Sequence, residues 1–204
     1  MTFIRSQSRA LLALPLLLAL AVAASGQRVV DLWWPYTMHA EVALDAGGTA
    51  HFETTVETQS NGRVPLRLSV RHVSTEPVQT VRLSGDEEVP VPAGFDAWRV
   101  RVHVEADPAA ILGACQVLLR DTEGREYAAG TRPLEGGALD LASCQPPDAE
   151  NPSGLDMDAD RTSNRPPAYD RDAVFLLPEG AVPVEVRVSP DLHLYGAWPL
   201  PAAD

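Results

Sequence analysis

The chain has 204 residues, with 16 basic and 28 acidic side chains and a net charge of −12 when the histidines are neutral. Every basic residue is arginine, so chemistry that needs a lysine amine, such as Schiff-base formation, is excluded. A nucleic-acid partner is not expected, because binding a polyanion needs clustered positive charge. The apolar content of 45% is ordinary for a globular protein and argues against a wholly disordered chain.

Residues 1–30 are predicted to be an export segment, either a signal peptide or a signal anchor helix. Arginines precede an uncharged run from Leu11 to Ala24, and small residues at its end offer cleavage sites, as in secretory signals. Extending the apolar run to Val30 reaches the roughly 20 residues that a membrane-spanning helix needs. The next residues have the composition of a membrane-interface belt, which leads us to prefer the anchor: Trp33, Trp34 and Tyr36. Both alternatives place the remaining chain outside the cytoplasm, membrane-anchored by a single pass or secreted.

Residues 37–190 are predicted to form one all-β domain. Apolar and polar residues alternate with a period of two, and turn pairs such as Asn61-Gly62 separate the runs. The clearest strand runs from Trp98 to Glu105, with its apolar face on the even numbers. Short strands without an amphipathic helical stripe predict an antiparallel sandwich, with a closed antiparallel sheet as the alternative. Residues 191–204 are predicted to be a C-terminal tail.

Residues 145–171 interrupt this rhythm and are predicted to form a long acidic, proline-rich loop before the last two strands. Within it lies an Asp-x-Asp-x-Asp pattern, a spacing at which carboxylates can converge on calcium. The remainder of a calcium-binding EF-hand loop is missing, because Arg161 stands where that loop needs glycine. We therefore expect no cofactor, with a calcium site as the alternative at Asp156, Asp158 and Asp160.

The chain has two cysteines, Cys115 and Cys144. In an exported protein an even number of cysteines most simply forms disulfides. Their spacing matches neither a Cys-x-x-Cys redox motif nor a zinc-ligand pattern. The sequence predicts a bridge from a core strand to the base of the acidic loop.

Four arginines fall on the polar phase of two predicted strands. They form either a basic patch or cross-strand ion pairs with glutamates, and the second alternative is the one expected of strand surfaces. The arginines are Arg67, Arg71, Arg99 and Arg101, and the candidate partners are Glu41, Glu53, Glu57 and Glu105.

The sequence contains no recognised catalytic motif. Neither a Gly-x-Ser-x-Gly elbow nor a His-Glu-x-x-His helix is present. The five histidines are scattered, and several fall on the polar phase of their strands, where solvent exposure is expected: His39, His51 and His103.

The order of several segments carries a resemblance to known proteins. These segments are the apolar N-terminal helix, Trp33-Trp-Pro-Tyr36, the Trp98-Arg-Val-Arg-Val strand, the Cys115 to Tyr127 run with its Leu-x-Asp-x-x-Gly-x-x-Tyr pattern, Cys144-Gln-Pro-Pro, and Val174-Phe-Leu-Leu-Pro-Glu-Gly180 ahead of Val184-Glu-Val-Arg-Val188. In this order they resemble a group of uncharacterised exported or membrane-anchored actinobacterial proteins. More loosely, they look like the immunoglobulin-like modules of bacterial surfaces, in which such a hairpin precedes a final Phe-x-x-Pro strand. The resemblance implies an extracytoplasmic immunoglobulin-like sandwich preceded by one N-terminal hydrophobic helix, and it offers no catalytic residues to transfer.

These observations predict a non-enzymatic cell-envelope or secreted domain that mediates protein–protein interaction or envelope assembly. Its partner is an envelope or membrane protein of unknown identity, and the N-terminal helix contacts the membrane if it is not cleaved. Two alternatives stay open: a calcium- or ligand-binding extracellular module, and an unrecognised envelope hydrolase.

Overall fold

A computed structural model describes residues 37–58, 62–82, 88–129, 133–134, 137–138, 144–145, 165–191 and 193–201. These ranges contain strands and no helix. In chain order the strands are β1 (Ala40–Glu41), β2 (Thr49–Thr58), β3 (Gly62–Val78), β4 (Thr80–Arg82), β5 (Glu88–Pro90), β6 (Phe95–Ala106), β7 (Gln116–Asp121), β8 (Glu126–Ala128), β9 (Pro133–Leu134), β10 (Gly137–Ala138), β11 (Ala168–Pro178), β12 (Pro183–Ser189) and β13 (Leu194–Pro199).

Two sheets make up most of the fold. The four-stranded sheet has the order β11-β6-β3-β2, and all its pairs are antiparallel. The five-stranded sheet has the order β1-β13-β12-β7-β8, in which only the short β1–β13 pair is parallel. Neither sheet closes on itself, because β11 and β2 end one of them and β1 and β8 end the other.

The inward-facing side chains of the two sheets share one hydrophobic core. Phe52 of the four-stranded sheet and Leu119 of the five-stranded sheet both lie in it, and each is at most 1% exposed. The predicted apolar face of β6 is confirmed, since its even-numbered valines are fully buried: Val100, Val102 and Val104. The architecture is therefore an all-β sandwich whose sheets are antiparallel except at the β1–β13 pair, as the period-two alternation predicts.

A second, smaller core lies on the outer side of the four-stranded sheet. The β4–β5 hairpin brings Val81 against Ala97 and Leu176, all at most 5% exposed. The hairpin therefore covers one end of this outer side and leaves the remainder to polar residues.

The prediction that residues 191–204 form a C-terminal tail is wrong for Leu194–Pro199. This segment is strand β13, which pairs with β12 and β1 and buries Trp198. The alternation over this segment is short and passes through Gly196, so it gives little apolar signal. Its place in the sheet depends on partners distant in the sequence.

The predicted C-terminal boundary of the loop, residues 145–171, is also wrong, because strand β11 begins at Ala168. Ala168 to Arg171 belong to β11 and pair with β6 from Glu105 to Val102. Asp170 and Arg171 are charged, which hides the strand pattern in the sequence. Both residues pair with β6 through the backbone, and His103 of β6 contacts the Asp170 carboxylate.

The predicted export segment and the aromatic residues after it lie outside the described residues. In the described part of the chain, no helix is long and apolar enough to cross a membrane.

Candidate functional site

The disulfide predicted from the sequence is confirmed. Cys115 and Cys144 are bonded, with their Cα atoms 5.4 Å apart, and both are at most 2% exposed. The Tyr169 hydroxyl donates a hydrogen bond to the Cys144 carbonyl at 2.5 Å. Burial raises the pKa of Tyr169 to about 12, so the phenol stays a donor at physiological pH. These contacts fix the point at which residues 146–164 leave the sandwich.

The point at which the chain returns is fixed by a buried arginine. Arg165 is 4% exposed, and its Nη2 donates to the carbonyl oxygens of Asp107, at 2.5 Å, and Ala110, at 2.9 Å. Both ends of the acidic segment 146–164 are thus attached to ordered parts of the sandwich.

The predicted calcium ligands Asp156, Asp158 and Asp160 and the predicted membrane-interface residues lie outside the described residues. Within the described ranges, no group of three or more His, Cys, Asp or Glu side chains is arranged to hold a metal ion. The calcium site stays a prediction.

The β4–β5 hairpin leaves part of the outer side of the four-stranded sheet uncovered. We call this uncovered part the charged face. The residues that define it are His51, Arg67, Arg99, Arg101, His103 and Asp172. It spans all four strands, and its side chains are ordered by contacts between neighbouring strands.

Cross-strand ion pairs bind three of the four outward arginines. Arg67 lies 3.5 Å from Glu53, a partner that the sequence predicts, with both side chains exposed. Arg99 donates to Glu76 at 2.6 Å, and Arg101 donates through two nitrogens to Asp172 at 2.6 and 2.7 Å. These three arginines therefore form ion pairs with carboxylates and do not form a free basic patch.

Two of these partners, Glu76 and Asp172, were not among those predicted. The register of β3 shifts between His72 and Ser74, which changes the residue opposite Arg99. Asp172 falls beside the segment predicted to be a loop. The hydrogen bonds from Arg101 lower the pKa of Asp172, so this carboxylate is ionised at neutral pH.

His51 lies at the centre of a hydrogen-bonded chain on β2 and β3. Its Nε2 is 3.1 Å from Asp45 Oδ2, and its Nδ1 is 2.9 Å from Ser69 Oγ. The imidazole and the carboxylate are 59% and 44% exposed, respectively. An acid, a histidine and a serine therefore meet here on an open sheet surface.

The tight turn before β2 holds Asp45 in place. Asp45 Oδ1 accepts from the backbone N–H groups of Gly47 and Thr49, at 2.8 and 2.9 Å. The hydrogen bond from the Thr49 N–H is the main reason why the pKa of Asp45 is lowered, and the contact with His51 adds to it. The carboxylate is thus ionised and can only accept hydrogen bonds.

His103 is a second histidine of the charged face, and its surroundings differ. Its Nδ1 is 2.6 Å from Asp170 Oδ1, and its Nε2 is 3.5 Å from Glu105. It thus lies between two carboxylates, whereas His51 lies between a carboxylate and a hydroxyl. The predicted outward orientation of His51 and His103 is confirmed, although the His103 side chain is only 27% exposed.

The other histidines have separate local partners. His72 contacts the Thr75 hydroxyl, His193 contacts Asp191, and His39 contacts the Thr37 carbonyl. The rings of His39 and His193 lie 6.1 Å apart. His39 is exposed, as predicted.

Asp121 organises the turn between β7 and β8, within the Leu-x-Asp-x-x-Gly-x-x-Tyr run. Its carboxylate accepts from the Arg125 side chain, the Tyr127 hydroxyl and the backbone N–H groups of Glu123 and Arg125. Burial alone would raise the pKa of Asp121, but these hydrogen bonds together lower it to about 2. This short motif is thus a structural element of the hairpin.

Arg187 occupies the outer side of the five-stranded sheet, a feature that the sequence analysis missed. Its guanidinium contacts Glu185 and Glu126, both at 2.5 Å, and lies 4.8 Å from the centre of the Tyr195 ring. These residues come from three strands, so only the sheet order brings them together.

Comparisons with known proteins leave the family open. No family model matches the chain, and no curated protein matches it significantly. The chain is similar to the crystal structure of an uncharacterised β-sandwich protein from Clostridium difficile, with 9% sequence identity and a TM-score of 0.40. The match covers 81% of this chain and 96% of that one.

Proposed function

We propose that the protein is a cell-envelope or secreted immunoglobulin-like domain that acts by binding a partner protein and not by catalysis. The observation that carries this proposal is the attachment of the acidic segment 146–164 at both ends. One end follows the buried Cys144 and the other precedes the buried Arg165. Recognition by a segment held on a rigid β scaffold is a common mode of action for sandwiches.

The disulfide supports an extracytoplasmic location, because such bonds persist in oxidising compartments. We further propose that residues 1–30 retain the protein at the membrane, which would bring the segment 146–164 to other envelope proteins.

The composition of the segment 146–164 suggests the chemistry of the partner. It contains five acidic residues and one arginine, which gives a net charge of −4. Complementary charge steers association and favours a partner with a basic surface. The expected partner is therefore an envelope protein with a basic patch.

Site-specific photo-crosslinking in the native host tests this proposal. A photoreactive amino acid replaces Glu150 or Met157 in the segment, and Ala46, in the exposed turn before β2, as the matched control. We expect a discrete crosslinked product from the first two positions, and we expect this product to be lost when the remaining acidic residues of the segment are replaced by their amides. An equal product from Ala46, or a product that survives charge removal, would refute recognition by this segment.

The same crosslinking experiment also tests whether the segment binds calcium before it binds its partner. If crosslinking requires millimolar calcium and fails after replacement of Asp156, Asp158 and Asp160 by asparagine, the segment binds the ion first. A rise in melting temperature with calcium would accompany that result, because a ligand that binds only the native state stabilises it.

A further inference from the structure

We propose that Ser69 is a nucleophilic site. It accepts an acyl group from esters in which the acyl part carries a free carboxylate. This goes beyond the proposed binding role without making the protein an enzyme, because Ser69 is modified once and is not regenerated. The proposal rests on the hydrogen-bonded chain of Asp45, His51 and Ser69. His51 and Ser69 are directly opposite each other in the β2–β3 register, so the sheet itself sets their separation.

The chain of hydrogen bonds determines the tautomer of His51. An ionised Asp45 can only accept, so the neutral imidazole carries its proton on Nε2, which is 3.1 Å from the carboxylate. Nδ1 then presents its lone pair to the Ser69 hydroxyl at 2.9 Å. A histidine with this acceptor can remove the proton of an attacking serine, although its two ring nitrogens exchange the roles that they have in a Ser-His-Asp triad.

Two arginines flank the nucleophile on the same side of β3. Arg67 and Arg71 lie two residues before and after Ser69, at about 7 Å along the strand, within reach of a flexible arginine side chain. Both are exposed, and Arg67 also contacts Glu53. Arg67 shares its charge with Glu53, and Glu105 of β6 lies opposite Ser69. Arg71 therefore supplies most of the positive charge that favours acyl donors with a carboxylate and the oxyanion that forms during attack.

The acyl transfer balances without any further reagent. Ser69 Oγ forms a bond to the carbonyl carbon of the ester, and the bond from that carbon to the leaving oxygen breaks. The proton of the hydroxyl passes to His51 Nδ1 and then to the leaving oxygen. The products are the Ser69 ester and an alcohol or phenol. Asp45 is a positioning residue, since it acts only through His51.

The test uses the mono-p-nitrophenyl ester of succinic acid, with p-nitrophenyl butyrate as the neutral donor. We expect one p-nitrophenolate per protein in an initial burst, and an acyl group on Ser69 by peptide mass mapping. The succinate ester should react several-fold faster than the butyrate, and this preference should vanish in Arg67→Gln/Arg71→Gln.

Three variants separate the roles of Ser69, His51 and Asp45 in the acylation. Ser69→Ala should abolish the burst, and His51→Gln should slow acylation about 10²-fold, the lower end of what a positioned general base contributes. Asp45→Asn keeps an oxygen for the Gly47 and Thr49 bonds but presents an amide donor to Nε2, which moves the imidazole proton to Nδ1. Acylation should then slow, and the shift of tautomer should be visible in the ¹⁵N NMR signals of the imidazole.

His103→Gln is the matched control, because His103 has carboxylate partners on the same face and, among the residues that the structure describes, no serine partner. Its acylation rate should equal that of the wild type. An acyl group mapped to any residue other than Ser69, or an unchanged rate in His51→Gln, would overturn the proposal. A rate loss in His103→Gln equal to that in His51→Gln would do the same.

Discussion

Gly196 lies where the five-stranded sheet approaches Ala50 of the four-stranded sheet. A Cβ built on Gly196 would lie 2.8 Å from the Ala50 Cβ and 2.9 Å from the Trp198 ring. Trp198 is held in turn by a hydrogen bond from its Nε1 to the Gly48 carbonyl at 2.7 Å. The absence of a side chain at Gly196 therefore allows the close contact between the sheets.

Gly196→Ala should destabilise the protein by about 1–3 kcal/mol, the usual cost of overpacking a core. Urea unfolding measures the loss. Ala50→Gly should be less harmful in this background than in the wild type, because it removes the nearest clashing atom. Equal effects of Ala50→Gly in the two backgrounds would contradict this explanation.

The Asp121 network makes stability depend on pH. The folded-state pKa of Asp121 is about 2, below the value of about 3.9 expected in an unfolded chain. The contribution is therefore present above about pH 4 and is lost as the pH falls through about 2. Asp121→Asn should lower the melting temperature at pH 6, and the gap to the wild type should narrow at pH 2.5.

The matched control for this prediction is Glu123→Gln, an exposed partner of Arg125 in the same turn. It should change the melting temperature little, because exposed ion pairs contribute little. A gap between wild type and Asp121→Asn that is constant from pH 6 to pH 2.5 would exclude the ionised carboxylate as its source.

At the scale of elements, β13 is the strand on which the edge of the five-stranded sheet depends. It lies between β12 and β1, it buries Trp198, and the Leu200 N–H continues the contact by donating to the Val184 carbonyl. The C-terminal residues are thus part of the sandwich up to at least Leu200.

A chain that ends at Ser189 should lose cooperative unfolding, since β12 then exposes its buried valines and β1 loses its partner. Thermal unfolding followed by near-ultraviolet circular dichroism checks this. A chain that ends at Pro201 is the control, because it keeps every contact of β13 described above. Cooperative melting of the shorter chain would show that β13 is dispensable.

At the scale of the whole molecule, the disulfide connects the start of β7 to the base of the acidic segment. The bridge closes a loop with a sequence separation of 29 residues. In the chain-entropy model, a loop of this length stabilises the folded state by about 3–4 kcal/mol.

Cys115→Ala/Cys144→Ala should lower the free energy of unfolding by about that amount. Urea unfolding of the variant and of the oxidised and reduced wild type measures it. The reduced wild type should resemble the variant, and its mass should exceed that of the oxidised form by two hydrogen atoms. Equal unfolding midpoints for oxidised and reduced protein would contradict the stabilising role.

The location of the protein is also a property of the whole chain. We expect the full-length mass in the membrane fraction of the native host, because residues 1–30 are proposed to be an uncleaved anchor. A mass that begins near residues 24–27, found in the medium, would instead identify a cleaved signal peptide.

The strand character of the chain and the disulfide could both be predicted from residue types and their spacing. Alternation is a local property, so the buried valines of β6 could be predicted without knowledge of their neighbours. The bridge between Cys115 and Cys144 followed from having two cysteines in a chain that is predicted to be exported. Both predictions depend on residue types and spacing alone.

The contacts between polar residues depend on how the strands pair in three dimensions. His51 and Ser69 are 18 residues apart in the sequence, and their contact requires the β2–β3 register. Arg101 and Asp172 are 71 residues apart, and their contact requires β11 to lie beside β6. A strand pattern shows which side chains share a face, whereas pairing order and register determine which of them touch.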